Sequence, residues 1–121
     1  MRLTARLITT ASALATVLGV LSLSPLPANA ASVIEEGKSI AFDRKKGNCL
    51  ACHKIEGGDL PGNIGPPLVA MKARFPDKSK LRSQIWDSTR NNPNSMMPPF
   101  GRHEILTEAE IDKVVEYVYS L

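Results

Sequence analysis

The sequence predicts an all-α domain whose N- and C-terminal helices pack against each other. Two helix-start signatures frame it. Ser32 with Glu35 and Thr107 with Glu110 are capping boxes, each opening an apolar-periodic stretch. Between them lie two loops dense in Gly, Pro and Asn, residues 57–68 and 90–101. Near the middle stands the stretch the rest is arranged around, Cys49-Leu50-Ala51-Cys52-His53, and no strand pattern precedes it.

C-x-x-C-H is the attachment signature of a c-type haem. Two thiols three positions apart can each form a thioether to one vinyl group of a single porphyrin. The next residue, His53, is then held beneath the iron as the proximal ligand. A dithiol redox motif needs a strand before it and a helix after it, and the strand is missing. A structural zinc site needs four ligands, and outside the pentapeptide the chain offers only one further His, His103, so every Cys and His would have to be spent on it. The predicted cofactor is therefore one covalent haem c, with Cys49 and Cys52 as thioether sites. Both thiols are spent on it, and a buried haem supplies the apolar mass that a small domain lacks.

The first thirty residues have another purpose. Arg2 and Arg6 precede an apolar run from Leu7 to Leu21, followed by Pro25, Pro27 and Ala28-Asn29-Ala30. These are the three regions of a secretory signal, with an A-x-A cleavage site. The run is shorter than the roughly 20 residues that span a bilayer. Residues 1–30 are read as a cleaved signal peptide and residues 31–121 as one mature domain. Without Arg2 and Arg6 the 15 basic residues fall to 13, against 12 acidic ones. This near balance points to neither nucleic acid nor an anionic membrane as partner.

Along the mature chain, the spacing of Val33, Gly37, Ile40 and Ala41 predicts a helix over Val33–Lys46, with Gly47 just past its end. Gly37 suits the close passage of another helix. In the 57–68 loop, Gly65-Pro66-Pro67-Leu68 is a rigid turn placed to aim a carbonyl at the Nδ1–H of His53. Val69–Phe75 reads as a short helix stopped before Pro76. Asp77 caps the next, with Leu81 and Ile85 inward and an end near Thr89. Trp86 reads as core, its N–H needing a partner, for which a haem propionate is one candidate. Met71 reads as core. Ile111, Val114, Val115 and Val118 form the clearest amphipathic stripe, running to about Tyr119, with Tyr117 set against Gly37.

The 90–101 loop holds Met96 and Met97, followed by Pro98-Pro99. A thioether is a soft iron ligand, and His/Met ligation raises the haem potential. Met97 is the preferred sixth ligand because Pro98 directly follows and stiffens its loop, while Met96 faces away and packs. His103 is the alternative second ligand. Arg102, Lys72 and Arg74 read as solvated side chains rather than a docking surface.

This order of parts resembles a class I cytochrome c over the whole mature chain. Four segments, 47–53, 62–68, Met96-Met97-Pro98-Pro99-Phe100-Gly101-Arg102-His103 and 105–112, together resemble the SoxX family. SoxX is the small monohaem subunit of the SoxAX complex of bacterial sulfur oxidation. The resemblance implies a periplasmic electron-transfer subunit of a heterodimeric L-cysteine S-thiosulfotransferase. Its SoxA-like partner would hold the sulfur site, where thiosulfate is joined oxidatively to a cysteine of a sulfur-carrier protein. Electrons would pass through this chain to a downstream cytochrome. It further implies that His53 and Met97 are the axial ligands and that no residue here is catalytic. A free-standing periplasmic monohaem shuttle is the alternative, and a haem-based sensor with an open sixth position a weaker one.

Overall fold

The computed structural model describes residues 28–121, with side chains from Ala30 onward. Most of the predicted signal peptide lies outside the described residues. The described chain forms four α-helices and two short 3-10 turns, with no strand among the described residues. The helices are α1 (Ala28–Phe42), α2 (Met71–Arg74), α3 (Lys78–Trp86) and α4 (Glu108–Ser120). No described helix is long and apolar enough to cross a membrane.

α4 forms as its sequence dictates. The Thr107 hydroxyl accepts the Glu110 N–H at 3.2 Å, and the Glu110 carboxylate accepts the Thr107 N–H at 3.0 Å, completing the capping box. Its stripe of Ile111, Val114, Val115 and Val118 is at most 3 % exposed. The stripe packs on α1, where Gly37 is the contact point. A Cβ there would lie 2.0 Å from the Lys113 carbonyl oxygen and 3.0 Å from the Tyr117 Cβ. Only hydrogen fits between the two backbones. Phe42 meets Tyr117 edge-on at 6.2 Å, and the Lys113 ammonium bonds Glu36 at 2.5 Å across the same seam. α3 adds Leu81 and Ile85, and Met71 is buried beside them.

α1 differs from its predicted span at both ends. It begins at Ala28, so Ser32 lies inside it rather than at its cap. It ends at Phe42, four residues early, because Asp43 captures the following N–H groups. The Asp43 carboxylate takes Lys45 N–H at 2.8 Å, and its carbonyl takes those of Lys46 and Asn48 at 3.1 and 3.0 Å. The left-handed residue is then Asn48 (φ 45°), not Gly47. α2 is a single turn, shorter than predicted, because Leu68 is held in the loop by Lys54 and Ala70 turns left-handed. α3 starts on the Asp77 cap as predicted but stops at Trp86. Asp87 is extended there and restarts the chain as a 3-10 turn, Ser88–Arg90.

Lys46 and Glu110 form an ion pair that ties the turn before Cys49 to the first turn of α4. The Lys46 ammonium first, and the Thr107 N–H and hydroxyl after it, hold the Glu110 carboxyl down at about 2.

Two outcomes follow from these contacts. Gly37→Ala is expected to destabilise the domain by about 1–3 kcal/mol despite the higher helix propensity of alanine, measured by denaturant unfolding. Glu110, depressed from its ordinary 4.5, contributes stability that is full above pH 4.5 and lost as pH falls toward 2. The difference in unfolding midpoint between wild type and Glu110→Gln should therefore be largest near neutral pH and shrink across that window.

Candidate functional site

Cys49, Leu50 and Ala51 form a 3-10 turn entered through left-handed Asn48. The Cys49 carbonyl accepts both the Cys52 N–H at 3.2 Å and the His53 N–H at 2.9 Å. One tight turn therefore carries both thiols and the imidazole, which is what attachment to a single macrocycle requires. Cys49 and Cys52 are half-buried, free thiols. Burial pushes the Cys49 thiol up to about 11.

The 62–68 segment is laid along this turn by a ladder of main-chain bonds. Gly62 N–H bonds Leu50 O at 2.8 Å, Gly65 N–H bonds Cys52 O at 2.8 Å, and Leu68 N–H bonds Lys54 O at 2.9 Å. The ladder brings the Pro66 carbonyl to 2.7 Å from His53 Nδ1, the bond anticipated from the proline turn. The acceptor assigns the tautomer: Nδ1 carries the proton and Nε2 keeps its lone pair. No described residue takes that lone pair in a hydrogen bond. Gly65 lies flat against the ring, since a Cβ there would sit 2.4 Å from His53 Cε1. An imidazole fixed on one edge and one face, with a free basic nitrogen on the other edge, fits haem-iron ligation. Arg74 is exposed, as read from the sequence, and also donates to the Pro67 carbonyl at 2.7 Å, steadying the same turn.

The second loop separates its two methionines. Met96 is 75 % exposed, so it faces away but does not pack. Met97 is half-buried against the core. Its carbonyl accepts the Ser88 hydroxyl at 2.6 Å and its N–H donates to Ser95 Oγ at 3.2 Å. The ring of His103 is exposed and makes no hydrogen bond among the described residues.

One candidate partner named from the sequence gives way to another. The Trp86 indole N–H does not wait for a propionate; it donates to Glu108 at 2.7 Å, and Glu108 also receives Arg82 at 2.5 Å. That partner lies 22 positions away on α4, beyond what local pattern reveals. Arg102 and Lys72 are exposed, as read from the sequence; Arg102 also pairs with Asp87 at 3.4 Å, and Lys72 lies over the Tyr119 ring at 5.8 Å. The Asp87-Ser88-Thr89 run, an Asx-type turn signature after a helix, was the available signal for the contacts at the second loop.

Replacing Gly65 with alanine is expected to push the His53 ring off its seat. The Gly65→Ala protein should lose about 1–3 kcal/mol of stability and show a lower haem-to-protein absorbance ratio than wild type.

The cytochrome c family model matches residues 34–121. Over 77 residues the chain is 37 % identical to an uncharacterized lipoprotein of Aquifex aeolicus (strain VF5). That match covers 63 % of this chain but 37 % of the lipoprotein, so the chain spans little more than a third of its length. Among solved structures, the crystal structure of SoxXA from P. pantotrophus aligns with a TM-score of 0.64 and 27 % identity, covering 71 % of this chain and 79 % of that one. The C-x-x-C-H turn, the seated imidazole and the family match together place this chain in the cytochrome c family, as a SoxX-like monohaem cytochrome with covalently bound haem c.

Proposed function

We propose that the chain is the electron-transfer subunit of a SoxAX-type L-cysteine S-thiosulfotransferase, working in the periplasm after export by residues 1–30. In this reading Cys49 and Cys52 hold the haem by thioethers, and His53 and Met97 are its axial ligands. The observation that carries the proximal side is the 2.7 Å bond from His53 to Pro66. It fixes the tautomer, raises the basicity of Nε2 and stops the ring from turning. The contrast between half-buried, main-chain-anchored Met97 and exposed Met96 supports Met97 as the distal ligand. The likeness to SoxXA supports the assignment to that complex over any other that uses a small cytochrome c.

The bound haem supplies a one-electron redox couple. The chain's own residues keep both axial positions engaged, so that electrons pass and small molecules are kept out. Joining a thiosulfate sulfur to a cysteine sulfur forms one S–S bond, releases the thiol proton and removes two electrons. A subunit with a single haem takes those electrons one at a time and passes each to a downstream cytochrome. The sulfur chemistry, with the carrier protein's cysteine, belongs in this reading to a SoxA-like partner, because the haem would take both thiols of this chain, Cys49 and Cys52.

Co-expression with a SoxA-like partner followed by size exclusion tests the assembly. A single heterodimer peak is the expected result. A chain that elutes as a monomer beside that partner is the free-standing shuttle instead. For the ligand, Met97→Ala is expected to abolish the methionine-to-iron charge-transfer band and to open the ferrous protein to carbon monoxide. Met96→Ala and His103→Ala should leave both properties as in wild type.

A further inference from the structure

The peptide Trp86-Asp87-Ser88 holds the Met97 loop at three separate places. The Trp86 carbonyl accepts the N–H groups of Gly101 and Arg102 at 3.0 and 3.3 Å. Gly101 also lies directly on the indole, where a Cβ would be 2.0 Å from Trp86 Cδ1. The Asp87 side chain pairs with Arg102 at 3.4 Å while capping its own 3-10 turn through Thr89 at 3.1 Å. Ser88, with no exposed surface, spends its hydroxyl on the Met97 carbonyl at 2.6 Å.

A carboxylate at 3 % exposure and a fully buried hydroxyl are costly to bury without partners. Both find theirs in the loop or in the turn that faces it. Arg90 adds a second cation to Asp87, with Nε at 3.8 Å, and covers the outer face of Trp86 at 5.1 Å. The loop is therefore clasped at Met97, Gly101 and Arg102 by one short peptide at the end of α3. That end is itself bolted to α4 through Trp86 and Glu108.

We propose that Ser88 and Arg102 are positioning residues that latch the Met97 loop shut against the end of α3 and so set how readily the sixth ligand comes off. The proposal rests on Met97 being that ligand. Without the latch, the Met97 main chain gains freedom at the residue that must hold a sulfur in place. The neighbouring Pro98-Pro99 stiffens the loop, and Pro99, itself buried, accepts the His103 N–H within the loop at 3.0 Å.

The experiment uses purified holocytochrome: wild type, Ser88→Ala, Ser88→Thr, Arg102→Gln and Met97→Ala. Two quantities are read: the rate at which added imidazole displaces the native sixth ligand, and hydrogen exchange at the Gly101 and Arg102 amides. Ser88→Ala and Arg102→Gln are expected to speed displacement about three- to tenfold, the weight of one hydrogen bond. Both should speed exchange at the two amides, with haem content and helical circular dichroism unchanged. Ser88→Thr, which keeps the hydroxyl, should return both towards wild type. Wild-type displacement and exchange rates in Ser88→Ala and Arg102→Gln would overturn the latch while leaving Met97 as ligand. A methionine charge-transfer band that survives in Met97→Ala would overturn the ligand reading, and the latch proposal with it.

Discussion

Everything in this domain hangs on the approach of two backbones at Gly37. The Lys113 carbonyl lies where a side chain would begin, so α1 and α4 meet without side chains between them at that point. Helices that close bury their flanking apolar rows completely, and Ile111 and Ala41 have no exposed surface. The frame then fixes both loops indirectly. The turn that leads into Cys49 is tied to the start of α4 by Lys46 and Glu110. The end of α3, which carries the methionine loop, is tied to the same first turn of α4 by Trp86 and Glu108. One turn of α4 thus serves as the common abutment for both sides of the haem site.

The two sides are built by different means. On the histidine side the support is main chain on main chain, a ladder from residues 62–68 to 50–54 that no substitution of an outward side chain can remove. On the methionine side, the contact to the Met97 main chain is a side-chain hydroxyl, and a buried acid with two arginines stands behind it. Main-chain ladders hold a fixed geometry, whereas side-chain contacts can break one at a time. The His53 turn rests on main-chain bonds, whereas the Met97 loop adds replaceable side-chain contacts from Ser88 and Asp87 to its main-chain bonds at the Trp86 carbonyl.

How much of this was legible follows from range along the chain. C-x-x-C-H, the Thr107 capping box, the Asp77 cap and the α4 stripe are written within a few residues of themselves, and each appears where it was read. The bond from His53 to Pro66 spans 13 residues yet was also legible, because proline constrains the turn that delivers it. The end of α1 was misread, since Lys45, Lys46 and Gly47 suit a helix terminus and Asp43 overrides them with competing hydrogen bonds. The partners of Trp86 and Arg82 depend on how α3 and α4 cross, and that of Arg102 on how the second loop folds back on the end of α3, neither of which periodicity encodes. For the same reason Met97 was separable from Met96 only by its neighbour Pro98, and Ser88 was not visible as its anchor.

The pairing of residue 37 with residue 113 has a temporal side as well. A contact between residues so far apart in sequence can close only once the C-terminal helix exists, at a loop-closure cost that grows with the logarithm of the intervening length. Until α4 is present, α1 has no partner, the Lys46 and Trp86 ties have no abutment, and the turn bearing the two thiols stands on an unclosed chain. A chain interrupted before α4 therefore lacks the frame on which both loops rest.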